Sequence, residues 1–142
     1  MKRIGLIACS KSKLKEAERN PKLEVAAKDM YTGPNYRKAL HEGLNLYHCD
    51  SYYILSGKYG LLQPDDKVQY YDCYLGKKGM KYRKEWSEKV YKALCEKTGN
   101  PDENEYIFFA PKAYCEHLLP RLPHRKAMKY NGRQITFEER MF

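Results

Sequence analysis

Three short runs of the chain are apolar at nearly every position, without the alternation of a half-exposed strand. Arg3–Ala8 reads Arg-Ile-Gly-Leu-Ile-Ala, Tyr52–Leu55 reads Tyr-Tyr-Ile-Leu, and Tyr106–Ala110 reads Tyr-Ile-Phe-Phe-Ala. Runs of this kind are buried on both faces, which predicts strands of a parallel sheet. Ala127–Tyr130 predicts a fourth strand at an edge. Between these runs the apolar residues recur at helical spacing. Asn20-Pro21 predicts a helix start, with Leu23, Ala26, Ala27 and Met30 as its stripe. Gly33-Pro34 opens a second helix, whose Tyr36, Leu40, Leu44 and Tyr47 face the core. Met80–Lys97 is the clearest helix, with Tyr82, Trp86, Val90, Ala93 and Leu94 on one face. On its wet side Glu85 and Lys89, and Glu88 and Lys92, stand four apart. Gly99 and Pro101 break the chain after it. Ala113–Leu119 predicts a short helix closed by Pro120, and Ile135–Met141 a final short helix. Alternation of strand and helix predicts one α/β domain over residues 1–142, in three layers. Its sheet is mostly parallel and has about four strands.

Ligands of open parallel sheets bind beyond the carboxyl ends of the strands. The first strand ends in Cys9-Ser10-Lys11-Ser12-Lys13, the second in Ser56-Gly57-Lys58-Tyr59, and the third in Pro111-Lys112. Every end carries lysine, and two carry serine. Lysine supplies a point charge, a hydroxyl donates to oxygen, and glycine lets backbone amides approach an anion. Ser10, Lys11, Ser12, Lys13, Ser56, Gly57, Lys58, Tyr59 and Lys112 are therefore candidate phosphate-binding residues. Neither Gly-x-x-x-x-Gly-Lys-Ser/Thr nor Gly-x-Gly-x-x-Gly occurs, so the pattern is no P-loop or dinucleotide fingerprint.

Candidate reactive groups lie in the same loops. Cys9 beside lysines is a candidate nucleophile. With no histidine near it in sequence, a small packing residue is the simpler role. Ser10 is a second candidate. Asp72 can act as a general base, and its neighbours Tyr70, Tyr71 and Tyr74 are expected to desolvate it and raise its pKa. Asp65-Asp66 after Pro64 reads more simply as a turn. Those three tyrosines, with Lys67, Lys77, Lys78, Lys81, Arg83 and Lys84 nearby, can also stack bases while the cations track phosphates. A loop that packs its rings and solvates its charges is an equal reading.

Charge sharpens the picture. A net charge of +9 favours anionic partners. No apolar run approaches the ~20 residues of a membrane span. The five cysteines are odd in number and form no Cys-x-x-Cys pair. With no signal sequence before the first strand, a reduced, cytoplasmic setting is expected. His48-Cys49 and Cys115-x-His117 match no zinc spacing, so neither a metal nor a cofactor is expected.

The strand-end motifs also resemble a family. Ala8-Cys9-Ser10-Lys11-Ser12-Lys13 and Leu55-Ser56-Gly57-Lys58-Tyr59-Gly60-Leu61-Leu62-Gln63-Pro64-Asp65 look like the signature of small bacterial and phage domains of uncharacterised role. Asp29-Met30-Tyr31-Thr32-Gly33, the second motif and Gln69-Tyr70-Tyr71 are remotely similar to the YaaA peroxide-stress family over the first half of the chain, to about Leu75. That resemblance implies DNA binding and protection from oxidative damage. The layout of strand then polar loop is also similar to the uracil-DNA glycosylase fold, in which the loop after the first strand helps to activate water. By that analogy Ser10, Lys11 and Lys13 sit in the loop, and Asp72 serves cleavage of an N-glycosidic bond.

The expectation is a protein directed at a nucleotide or nucleic acid, DNA before RNA, with phosphate bound at the strand ends. One form of it hydrolyses an N-glycosidic bond. The alternative is a non-enzymatic DNA- or RNA-binding module built on Tyr70, Tyr71, Tyr74 and the basic stretch Lys77–Lys84. The sequence leaves open whether the domain is catalytic and what its oligomeric state is.

Overall fold

A computed structural model describes residues 1–132 and 134–140. The expected strands form, each a little longer than its apolar run: β1 (Lys2–Ala8), β3 (Ser51–Ser56), β6 (Asn104–Phe109) and β7 (Arg125–Asn131). They pair in parallel, β1 between β3 and β6, and β7 beyond β6. Two antiparallel strands, β4 (Gly60–Leu62) and β8 (Gln134–Glu139), extend the sheet to six among the described residues, in the order β4-β3-β1-β6-β7-β8. At one edge β4 folds back on β3, and at the other β8 folds back on β7, so β7 is flanked on both sides and is not the edge strand expected of Ala127–Tyr130. A separate pair joins β2 (Val25–Ala26) to β5 (Lys67–Val68).

Period-two alternation along the parallel strands builds the layers. Ile4, Leu6, Ala8, Tyr106 and Phe108 share a core with Trp86, Val90 and Leu94 of α5 (Met80–Thr98) and with Tyr114 of α6 (Lys112–Cys115). Ile7, Ile54, Ile107 and Phe109 face the other way. They meet Ala17 of α1 (Lys15–Arg19), Met30 of α2 (Ala27–Met30) and Tyr36 of α3 (Pro34–Lys38). From α3 the chain passes through a π-helical turn (Ala39–Gly43) into α4 (Leu44–Leu46). Glycines let this helix lie close on the sheet. A Cβ on Gly5 would stand 2.4 Å from Leu44 Cδ2, and one on Gly43 would stand 2.7 Å from the Phe109 ring.

Three further expectations need correction. Asn20 does not start a helix: it ends α1, and the apolar stripe from Leu23 to Met30 divides into β2 and the single turn of α2. Pairing with β5 overrides the helical spacing. The amides of Ala27 and Lys28 are held by the carbonyls of Asp66 and Pro64 at 2.7 and 3.0 Å. The expected helix from Ile135 is strand β8, reached through Gly132 at φ 66°. Its last residue, Met141, lies outside the described residues. The helix at Ala113–Leu119 stops at Cys115, and Pro120 falls inside a 3-10 turn (Leu119–Arg121).

Candidate functional site

The loop after β1 is fixed in place by the segment after α2. Cys9 N continues the sheet by donating to Leu55 O at 2.9 Å. Ser10 Oγ donates to Ser12 O at 2.6 Å and accepts from Gly33 N at 3.1 Å. Thr32 N donates to Ser12 O, and Leu14 N to Met30 O. Gly33 is required here because a Cβ would stand 2.5 Å from that of Ser10. The Ser10 hydroxyl is thus committed to holding the loop, while Lys11 and Ser12 are exposed.

Lys13 turns inward and is buried. Its ammonium donates to Lys11 O at 3.2 Å and lies 4.6 Å from the centre of the Tyr71 ring, with Tyr70 and Tyr31 at 5.8 and 6.0 Å. Desolvation pulls its pKa below the ordinary lysine value, against the attraction of Cys9 and Asp72. It braces the loop from beneath.

A second wall is formed by residues 72–78. Tyr71, just before it, is buried, and its hydroxyl meets Tyr31 Oη at 2.5 Å and Ser56 Oγ at 2.7 Å. Burial pushes the pKa of both phenols up. Ser56 is itself fully buried, and its Oγ also accepts from the amides of Lys58 and Tyr59, closing the tight turn between β3 and β4. Gly57 lets the wall come close, since a Cβ there would stand 2.6 Å from Cys73 O. Tyr114 Oη accepts from Leu75 N at 3.3 Å and lies 3.6 Å from Cys9 Sγ, tying the wall to the end of β1.

These walls enclose a cleft of about 840 Å³. It lies beyond the carboxyl ends of β1, β6 and β7, beside the point where the chain, having run from β1 to β3, crosses to β6 on the other side. Cys9, Ser10, Lys11, Ser12, Asp72 and Tyr74 of the sequence-derived candidates line it. Lys77 and Lys78, assigned by the sequence to a basic stretch, line it too, as do Gly33, Asn35, Pro111 and Tyr130. A water-sized cavity of about 10 Å³ shares Cys9, Asp72 and Cys73 with the cleft and adds Lys13.

The remaining candidates lie outside this lining. Ser56 and Gly57 are held in the β3–β4 turn, and Lys58 is exposed with its Nζ 5.3 Å from the Tyr59 ring centre. Lys112 is exposed at the start of α6. Of the three lysine-bearing ends only that of β1 contributes its lysine to the cleft lining; the β3–β4 turn packs behind the 72–78 wall through Gly57. Tyr71 has no exposed face for stacking, and Tyr70 is half-buried beside Lys13. Tyr74 is 42% exposed. Asp72 is exposed, not enclosed by the tyrosines that flank it in sequence. Gly33, Pro111 and Tyr130 went unread in the sequence as site residues. The one signal for them was position: Gly33-Pro34 opens a helix, and Pro111 and Tyr130 end strands.

Among the described residues no group of three or more His, Cys, Asp and Glu is placed to hold a metal ion. No helix among them is long and apolar enough to cross a membrane.

Fold and cleft together define an α/β protein with a ligand-sized cavity at the carboxyl ends of a mostly parallel sheet. The chain belongs to a family of unknown function, DUF6884, whose model matches residues 4–141. No curated protein and no solved structure gives a significant match.

Proposed function

We propose that the cleft binds the phosphate and base of a nucleotide, free or within a nucleic acid. The observation that carries this reading is the meeting of Lys11, Lys77 and Lys78 in one cleft with the exposed ring of Tyr74. Lysines recognise phosphate as point charges, and an exposed phenol ring stacks on a base of any identity. The volume suits a small ligand. The unpaired cysteines agree with a reduced, cytoplasmic setting.

In its enzymatic form the reading assigns Asp72 the role of general base. It takes a proton from water, the oxygen attacks the anomeric carbon, the C–N bond breaks with its electron pair going to the departing nucleobase, and the Asp72 carboxyl returns its proton to that nucleobase. This is the chemistry suggested by the likeness to the uracil-DNA glycosylase layout. Ser10 has no part in it, since its hydroxyl already holds the loop. In the binding-module form the same lysines and Tyr74 act without chemistry.

Thermal shift with mononucleotides and short oligonucleotides tests the reading. Stabilisation should be lost in Lys11→Ala and in Lys77→Ala/Lys78→Ala, and kept in Lys58→Ala, whose side chain lies outside the cleft lining. Stabilisation by no nucleotide, or equal stabilisation of all variants, refutes it. Release of free base by the parent protein, absent in Asp72→Asn with binding intact, selects the enzymatic form.

A further inference from the structure

We propose that the ligand is a single-stranded nucleic acid, with one nucleotide in the cleft and the next phosphates running over Lys78, Lys81 and Lys84 at the start of α5. The inference rests on the nucleotide reading above and narrows it from free nucleotide to strand.

The cleft does not end in a neutral rim. Lys77 and Lys78 belong to its lining and lead directly into α5. Met80, Lys81, Tyr82 and Lys84 follow, all exposed, and the first turn of the helix holds no acidic residue. Among the described residues, Lys77, Lys78, Lys81 and Lys84 each lack a carboxylate within ion-pair distance. Arg83 differs: its Nε is taken by Glu116 at 3.4 Å. Unneutralised lysines therefore stand side by side where the helix macrodipole already repels cations. A mononucleotide in the cleft would leave Lys81 and Lys84 unmatched, whereas the successive phosphates of a strand would meet them.

The aromatic groups follow the same path. A Cβ on Gly76 would stand 2.6 Å from Tyr74 Cε1, so glycine is what lets the Tyr74 ring lie back against the backbone where it lines the cleft. Tyr82 is 38% exposed, anchored by its hydroxyl to Gly57 O at 2.9 Å, with Lys78 Nζ 5.1 Å from its ring centre. Rings set among unpaired cations form the surface that holds single strands.

Fluorescence anisotropy with labelled oligodeoxyuridylate and oligouridylate of about eight nucleotides, with matching mononucleotides as competitors, tests this. The oligomer should bind at least about tenfold tighter than the mononucleotide at low salt. Lys81→Glu/Lys84→Glu should weaken the oligomer about tenfold and leave the mononucleotide unchanged, with the salt slope falling by about 1.4 for two lost contacts. Lys97→Glu, at the far end of α5, controls for net charge and should change neither. The two sugars separate DNA from RNA. Equal affinity for mononucleotide and oligomer, indifference to Lys81→Glu/Lys84→Glu, or preference for a duplex overturns the strand while the nucleotide reading stands. Binding of no ligand of any length overturns both.

Discussion

Gly33 and Ser10 stand closer than two side chains can. The shape of the cleft floor depends on that approach, because the Ser10 hydroxyl links Gly33 N to Ser12 O across it. Gly33→Ala would place a methyl group 2.5 Å from Ser10 Cβ, and one of the two segments must move. The expected loss is about 1–3 kcal/mol. Ser10→Gly removes the obstructing carbon, so the double variant should be more stable than the summed single losses by about 1 kcal/mol. Urea unfolding of the four proteins measures the cycle. Strict additivity would show that the close approach is not what makes glycine necessary. The same pair marks how far the site was legible. Lysine and serine after a buried strand point to a polar loop, but hydroxyl commitment and the inward turn of Lys13 depend on what lies across from them. A residue 23 positions away supplies that partner.

At the scale of elements, the parallel strands were readable because burial on both faces leaves no polar position to blur the pattern. α5 was readable because Trp86, Val90 and Leu94 recur at helical spacing over a long stretch. The short edge strands were not, since two or three residues carry no period. The error at Ile135 has a specific cause. Asn131-Gly132 is a hairpin-turn signal, and Ile135, Thr136 and Phe137 favour a strand more than a helix. The junction of α5 with the sheet carries its own prediction. Trp86 Nε1 donates to Ser56 O at 2.7 Å, both groups lying in the interior. Trp86→Phe keeps a ring but removes that hydrogen bond and leaves space. It should cost about 2–4 kcal/mol. Because Ser56 also holds Tyr71 and the β3–β4 turn, hydrogen exchange at Lys58 and Tyr59 should quicken in the same variant. A loss of stability without faster exchange there would separate the tryptophan from the turn.

Several phenols and thiols of the whole molecule lie in or against its interior, and these set its response to alkali. Burial raises Tyr31, Tyr36, Tyr71, Tyr114 and Tyr130 above the ordinary 10.0, and raises the thiols of Cys49 and Cys115 from 9.0 to about 11 and about 12. A group whose folded pKa is raised keeps its proton longer in the folded state. Its stabilising share is whole below the unfolded pKa and drains away as pH climbs toward the folded one. Lys13 acts in the opposite sense: its pKa is lowered, so its burial penalty fades as pH approaches 10.5. One lysine is outweighed by the phenols and thiols. The unfolding temperature should therefore hold to pH 9 and fall increasingly steeply above pH 10, the thiols giving way before the phenols. Tyrosinate absorbance should separate the exposed rings from the buried ones. The buried phenols Tyr31, Tyr36, Tyr71 and Tyr114 should ionise only as circular dichroism is lost. Ionisation of every tyrosine before any loss of helix signal would show that these hydroxyls meet water in the folded state. The hydrogen-bonded set of Tyr31, Tyr71 and Ser56 would then be open to solvent. Cys115→Ala should flatten the decline between pH 9 and pH 10 without moving the phenol transition, because it removes only the earlier proton.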